Sequence, residues 1–161
     1  MPGSLIQNED AVSIQISYIL SLLVLIIFTG SITSVFYLYA DSSSEQAMRA
    51  GFTDLGSVIA RDITNMYITS EYSQNNVTLN VTRNIPLTIG GKGYMIKLNN
   101  ATPGHFASID IIESGFNGYT VSTTLNSINV PVNAISEGVY SGSGEINIRF
   151  KKNESRWIWI N

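Results

Sequence analysis

The sequence of 161 residues contains no cysteine and a single histidine, His105. The absence of cysteine excludes disulfide scaffolds, thiolate metal sites and cysteine nucleophiles. A lone histidine does not build the common zinc sites or catalytic triads, which need several ligands or a base held by a third residue. The net charge of −3 argues against nucleic-acid binding, because that affinity requires a clustered basic face. We therefore expect no enzyme activity, no metal and no cofactor.

The few polar patterns that could support chemistry have simpler interpretations. His105 follows Pro103-Gly104, which is a turn sequence, so we expect a loop histidine. Gly90-Gly91-Lys92-Gly93 lacks the spacing of a phosphate loop and precedes a strand pattern, so it predicts a hairpin turn. Asp110 and Glu113 are three residues apart, which directs them to opposite faces of a strand.

The most informative absence is that of charge between Ala11 and Ala40, where there is no Asp, Glu, Lys, Arg or His. A helix over these thirty residues is about 45 Å long, against about 30 Å for the hydrocarbon core of a bilayer. Fifteen Ile, Leu, Val and Phe residues between Ile14 and Leu38 favour membrane insertion by several kcal/mol. The segment predicts a single membrane span. A cleaved secretory signal peptide is the alternative, which the length and the missing basic flank disfavour.

Basic residues are also absent from the first 48 positions, because the first is Arg49. The positive-inside rule therefore gives no orientation. Four Asn-X-Ser/Thr triplets follow the apolar run and favour an N-terminus inside the cell and a C-terminal part outside. These candidate N-glycosylation sites are Asn76, Asn80, Asn100 and Asn153.

The run Glu9-Asp10-Ala11-Val12-Ser13, leading directly into an apolar helix that contains several serines, resembles the N-terminus of archaeal type IV pilin-like proteins, including archaellins. The resemblance covers residues 8 to 40. It implies a leader removed by a membrane peptidase, with candidate cleavage between Asp10 and Ala11. It also implies that the exposed helices then bundle into the core of a filament with β-rich heads on its surface. The leader has no basic residue, and Ile14-Gln15 stands where family members often have Pro-Val.

Small residues along the apolar helix independently favour packing between helices, because they let backbones approach closely in lipid. A lone membrane anchor is the alternative. The candidate packing residues are Ser17, Ser21, Gly30 and Ser34.

Residues 41–70 predict an amphipathic helix. Ser42 and Glu45 have capping-box spacing, so either a new helix starts here or the long helix continues with a kink, which we favour. Gly51 and Gly56 weaken this helix and indicate close packing. Arg49, Asp54, Arg61 and Asp62 are expected to face solvent. The apolar stripe, which a following sheet should cover, is Met48, Phe52, Leu55, Ile59, Ile63 and Met66.

From residue 71 onward the apolar period changes to two, which indicates short half-buried strands. Pro86 and Pro131 place their strands at an edge or a bulge, whereas the last strand, apolar on both faces, is expected to be central. The fold class is therefore α+β: a long helix followed by an antiparallel β-sandwich or barrel-like head. The predicted strands are Val77 to Thr82, Ile85 to Ile89, Tyr94 to Leu98, Phe106 to Ile112, Tyr119 to Leu125, Ile128 to Val132, Ile146 to Phe150 and Arg156 to Ile160.

These observations predict four regions: a leader or short cytoplasmic tail (1–10), a transmembrane or filament-core helix (11–40), an amphipathic helix (41–70) and an extracellular β head (71–161). The expected function is a structural subunit of a pilus-like filament. Its expected partners are identical subunits, the membrane before assembly, a leader peptidase if the chain is processed, and a cell-wall or surface target of the head. The alternative is a non-polymerising envelope protein, such as a minor pilin-like or motor accessory subunit. A membrane-tethered enzyme would need a polar constellation that we do not find.

Overall fold

The computed structural model describes residues 4–73, 76–102, 105–115, 118–126, 128, 138–153 and 156–161, with side chains described from position 12 onward. Within them the chain forms one long helix and seven strands, and it divides into two compact units after Ser43. A short 3-10 helix, η1, covers Ser141–Ser143. The elements are α1 (Ser4–Glu71), β1 (Val77–Asn84), β2 (Tyr94–Asn99), β3 (Ser108–Glu113), β4 (Thr120–Thr124), β5 (Val139–Tyr140), η1 (Ser141–Ser143), β6 (Glu145–Lys152) and β7 (Arg156–Ile160).

The helix α1 passes through the predicted capping sequence without interruption. Instead of starting a new helix, Ser44 donates its hydroxyl to the carbonyl of Gly90 at 2.8 Å, and Glu45 pairs with Arg49 one turn later. The favoured expectation of a continuous helix is confirmed. Residues 4–10, which have no apolar periodicity, are helical as well.

The strands form two antiparallel sheets, in the orders β1-β6-β7 and β4-β3-β2-β5. The α+β class is confirmed. Neither sheet closes into a barrel within the described residues, which favours the sandwich form of the prediction. The last strand, β7, lies at the edge of its sheet, so the expectation of a central position was wrong. Both faces of β7 carry apolar side chains, but one face is buried in the core and the other is half-buried.

The apolar stripe of the amphipathic segment is buried in full, as its period of three and four residues predicts. Phe52, Ile59 and Ile63 are completely inaccessible to solvent. Side chains from both sheets complete the same core. The larger sheet contributes Tyr94, Ile96, Leu98, Ile109 and Ile111, and the smaller one Ile146, Ile148, Phe150, Ile158 and Ile160.

Two segments differ from the predicted strands. Ile85 to Ile89 forms no strand, because the Pro86 nitrogen cannot donate a ladder hydrogen bond and the chain then enters a tight turn at Gly90. Ile128 is buried, but the rest of the predicted strand to Val132, including Pro131, lies outside the described residues. The two-residue strand β5 was not predicted, since it is too short to show alternation.

Gly51 lies where α1 approaches Ile89, beside the Gly90-Gly91 turn, and Gly56 lies where α1 approaches β4 of the larger sheet. A Cβ atom on Gly51 would collide with Ile89 Cγ2, and one on Gly56 would collide with Thr123 Oγ1. The prediction of close packing is confirmed. The helix propensity lost at these glycines, about 1 kcal/mol each, is offset by these close contacts of the helix with the turn and with the sheet.

The predicted hairpin turn at Gly90-Gly91 is confirmed and lies against α1. Ile89 and Lys92 pair across it, and both glycines have positive φ, 59° and 75°. A Cβ atom on Gly90 would lie 2.8 Å from the Ser44 carbonyl oxygen and 2.9 Å from Met48 Cβ. A Cβ atom on Gly91 would meet nothing within 4 Å.

The two glycines therefore form a matched pair for mutagenesis. Gly91→Ala should cost about 1 kcal/mol of unfolding free energy, from the left-handed backbone alone. Gly90→Ala should cost about 1–3 kcal/mol more, because it also overpacks the contact with α1. Urea denaturation of both variants measures the difference. Equal losses would show that the turn does not press on the helix.

Tyr94 occupies the centre of this core. Its ring meets Phe52 edge-on, with centroids 5.4 Å apart, and its hydroxyl donates to the Pro86 carbonyl at 2.6 Å. Burial disfavours the charged phenolate and raises the pKa of Tyr94 to about 12.

This pKa predicts a loss of stability in alkaline solution. Between the unfolded pKa of about 10 and the folded pKa of about 12, the unfolded chain releases a proton that the native state retains. The contribution is therefore complete below pH 10 and is lost as pH rises through 12, on the order of 2–3 kcal/mol in total. Denaturation of the wild type and Tyr94→Phe at pH 9 to 12 measures it. The free energy of unfolding of Tyr94→Phe should fall less steeply between pH 10 and 12 than that of the wild type. If the two curves are parallel, a group other than Tyr94 causes the loss of stability.

Candidate functional site

The first candidate site is the apolar part of α1, residues 12–40. Every one of its side chains is exposed within the chain, including Leu23, Ile27 and Phe28 at 50%, 61% and 64%. The helix is long and apolar enough to cross a membrane. A helix that is apolar on all sides is stable only when lipid or other helices surround it.

Four hydroxyl groups within this segment are satisfied by the helix itself. Each donates to the carbonyl four residues earlier, at 2.8–2.9 Å. Since an unsatisfied polar group costs several kcal/mol in hydrocarbon, this bonding makes these four hydroxyls compatible with lipid. The donors are Ser21, Ser31, Thr33 and Ser34.

The predicted packing residues fall into two pairs along this segment. Ser21 is bonded to the Ser17 carbonyl, and Ser34 to the Gly30 carbonyl. At about 100° per residue, the midpoints of the two pairs point about 140° apart around the helix axis. A Cβ atom on Gly30 would meet nothing within 4 Å. The chain therefore presents small residues on two separate faces, and a single straight neighbour would not contact both.

The candidate cleavage bond between Asp10 and Ala11 lies within α1, which begins at Ser4. The backbone on both sides of the bond is helical, and the sequence resemblance alone did not indicate this. A peptidase that acts here would meet helical backbone in the uncleaved chain.

The four candidate glycosylation sites are all exposed. Asn80 lies on the outer face of β1, opposite Arg149 of β6. Asn76 directly precedes β1 and Asn153 directly follows β6, so they lie at the same end of that ladder. Asn100 directly follows β2. Each asparagine is thus placed where an attached glycan would extend into solvent.

The polar residues considered for catalysis each make separate contacts. His105 is exposed and pairs through its backbone with Thr102. Asp110 accepts hydrogen bonds from Asn99 and Ser108. No group of three or more His, Cys, Asp or Glu suited to a metal occurs in the described part of the chain.

Glu113 takes part in a separate set of contacts. Its carboxylate accepts a hydrogen bond from the Tyr119 backbone and lies 3.4 Å from Lys92 Nζ. Asp110 and Glu113 lie on opposite faces of β3, so the contacts of Glu113 are separate from those of Asp110.

Within the C-terminal unit, charged side chains connect the second part of α1 to the β-rich part of the chain. Asp62, expected to face solvent, instead accepts two hydrogen bonds from Arg83 of β1, at 2.6 and 3.0 Å. That bonding raises the pKa of Arg83, just as the hydrogen bond to Glu45 raises the pKa of Arg49. Arg49 also lies 4.0 Å above the Tyr119 ring. Periodicity cannot reveal such contacts, because it gives the direction of a side chain but not its partner.

The basic residues near the C-terminus divide between two locations. Lys152 donates to the carbonyls of Ser70 and Ser73 at the end of α1, and Arg156 pairs with Glu71. Arg149 and Lys151 lie on the opposite, outer face of β6 and are exposed. These four basic residues lie close together in the sequence, but they do not form one basic patch.

In a comparison with known protein families, a profile described as a family of unknown function matches residues 7–156. The match includes the whole apolar part of α1 and the strands β1 to β6. No curated protein and no solved structure matches the chain significantly.

Proposed function

The chain belongs to the DUF7266 family, whose function is unknown, and we propose that it is a structural subunit of an extracellular filament resembling archaeal type IV pili. The observation that most supports this proposal is that the two parts of α1 differ in their surroundings. Residues 12–40 are apolar on every side and bury nothing within the chain, whereas the stripe from Met48 to Met66 is fixed in a β-rich core. One helix thus carries both a free apolar surface and a folded head.

The two small-residue faces of α1 suit a polymer better than a pair. A helix that meets neighbours on two sides about 140° apart makes different contacts with each of them. Contacts of this heterologous kind produce open helical assemblies unless the rotation closes a ring. In the proposal, the subunit spans the membrane once, with its N-terminus inside, and moves from lipid into the stack of identical helices.

The decisive experiment is electron microscopy of filaments sheared from native cells, combined with mass spectrometry of the N-terminus of the protein recovered from them. We expect the protein to be abundant in filaments and to begin at or near Ala11. Recovery only from membranes, with the first ten residues attached, would contradict the proposal.

Gly30→Leu tests whether the Gly30 face contacts a neighbouring helix. The substitution keeps the segment apolar, so membrane insertion should persist, but the bulk should separate the backbones and reduce filament yield at least tenfold. Leu22→Phe adds bulk at an exposed position about 100–120° from the midpoints of both small-residue pairs, so it should leave the yield unchanged. Normal filaments from Gly30→Leu would remove this face from the assembly.

A permanent, non-polymerising membrane anchor is the second candidate, and the helical backbone across Asp10 and Ala11 favours it. In that case the N-terminal residues stay attached and extend α1 beyond the span by nearly two turns. The β head would then hold a surface or cell-wall partner. The N-terminal mass of the membrane-bound protein distinguishes the two candidates.

A further inference from the structure

The outer face of the sheet β1-β6-β7 has an unusual composition. Trp157 and Trp159, the only two tryptophans of the chain, both lie there, half-buried, while Ile158 and Ile160 point into the core. Two residues apart on one strand, their Cα atoms are separated by about 7 Å. The tryptophans therefore form a short aromatic strip along the edge strand.

Cations flank this strip through the strand register. Lys151 lies opposite Trp157 and Arg149 opposite Trp159. Cross-strand neighbours of this kind have Cβ atoms about 5 Å apart and point to the same side of the sheet. The aromatic rings and the two cations thus share one surface.

Neither Arg149 nor Lys151 has an ion-pair partner among the described residues. The adjacent Lys152 and Arg156, on the other face, are engaged with the end of α1. Glu145 is the one acid of this face within β6, and it lies at the far end of the strand. Among the described residues, the charge beside the tryptophans is therefore positive, on a chain whose net charge is −3.

The third strand adds neutral hydrogen-bonding groups to the same face. Thr78 lies opposite Lys151 and Asn80 opposite Arg149, and both are exposed. Two rows therefore cross the sheet, Thr78-Lys151-Trp157 and Asn80-Arg149-Trp159. Each row combines a neutral polar group, a cation and an aromatic ring over about 10 Å.

We propose that this face binds an acidic polysaccharide, a chain of sugars bearing carboxylate or sulfate groups. The apolar C–H faces of sugar rings pack on indole rings, which offer a large rigid apolar surface. Arg149 and Lys151 pair with the acidic groups through charge-assisted hydrogen bonds, and Asn80 and Thr78 bond the hydroxyls. The inference does not depend on polymerisation, because the face belongs to the C-terminal unit alone.

Two other classes of partner, proteins and nucleic acids, fit this face less well. The two rows are too small for a protein partner. They cover far less than the roughly 800 Å² that each protein buries in a standard complex. Single-stranded nucleic acid also stacks on aromatic rings, but its affinity depends on many phosphate contacts along a basic groove. Only two cations line this face in the described part of the chain, and the chain as a whole is acidic.

Tryptophan fluorescence, excited at a wavelength that tyrosine does not absorb, provides a direct test, because both tryptophans of the chain lie on this face. Full-length unglycosylated protein in a neutral detergent without a sugar headgroup is titrated with polygalacturonate, with neutral dextran and with oligo-dT. We expect a saturable emission change with polygalacturonate, and at least tenfold weaker responses with dextran and oligo-dT.

The double variant Arg149→Gln, Lys151→Gln should raise the half-saturating concentration of polygalacturonate at least tenfold. Its matched control, Lys92→Gln with Lys97→Gln, removes the same charge near the other sheet and should bind as the wild type does. Circular dichroism verifies that both fold. Absent or non-saturable binding, dextran binding of equal strength, equal losses in both double variants, or preferential binding of oligo-dT would each overturn the proposal.

Discussion

Replacing Leu23 and Ile27 together by aspartate is expected to remove the protein from the membrane. The two side chains lie one turn apart on α1 and are exposed. Each carboxylate near the bilayer centre costs about 2.5–3.5 kcal/mol, in place of a gain of about 0.5 kcal/mol. A total change of about 6–8 kcal/mol exceeds the several kcal/mol by which the whole segment favours insertion. Alkaline extraction of membranes, followed by quantification of the protein in the pellet, measures the effect.

The matched control is Leu23→Ala with Ile27→Ala, which removes the same side chains without adding charge. It should remain in the membrane pellet, because alanine is nearly neutral toward insertion. If the aspartate variant resists extraction as the wild type does, the apolar segment is not what holds this protein to the membrane.

The second large effect is expected from Phe52→Ala. Phe52 is completely inaccessible to solvent and packs edge-on against Tyr94. Truncating such a side chain removes its burial energy and leaves a cavity, at a cost of about 3–5 kcal/mol. A domain of this size has about 5–15 kcal/mol in total, so the variant should be marginally folded or unfolded. Urea denaturation followed by tryptophan emission measures the change.

Tyr72→Ala is the appropriate comparison, because it truncates an aromatic residue directly after α1 that is 86% exposed. Its expected effect lies within about 0.5 kcal/mol of zero. If Phe52→Ala were equally harmless, the amphipathic part of α1 would not belong to the same cooperative core as the sheets.

The parts of the fold that follow from sequence are those in which one residue type repeats at a fixed period. All six residues of the stripe from Met48 to Met66 are buried as predicted, because a helix fixes the direction of each side chain by its position. The strands β1, β2 and β6 follow from alternation in the same way. Ile85 to Ile89 has the apolar composition of a strand, but Pro86 and the glycine turn exclude one.

Strand order could not be predicted, since alternation shows which face of a strand is buried but not which strand lies beside it. The edge position of β7 is the clearest case. For the same reason the sequence could not predict that Arg149 lies opposite Trp159 and Lys151 opposite Trp157, because the register of β6 and β7 determines these neighbours. In the sequence, the basic residues and the tryptophans belong to two different strand segments. The candidate glycosylation sites, by contrast, need only a local triplet.

The contacts along the second part of α1 also determine how the protein bears mechanical load. From Ser44 to Glu71 the helix is embedded over about 42 Å. Near one end it is held by the Ser44 to Gly90 hydrogen bond, and at the other by Lys152 and Arg156. Tension applied along the helix must shear six buried side chains at once, so the head resists being pulled from its helix over its whole length and not at a single junction.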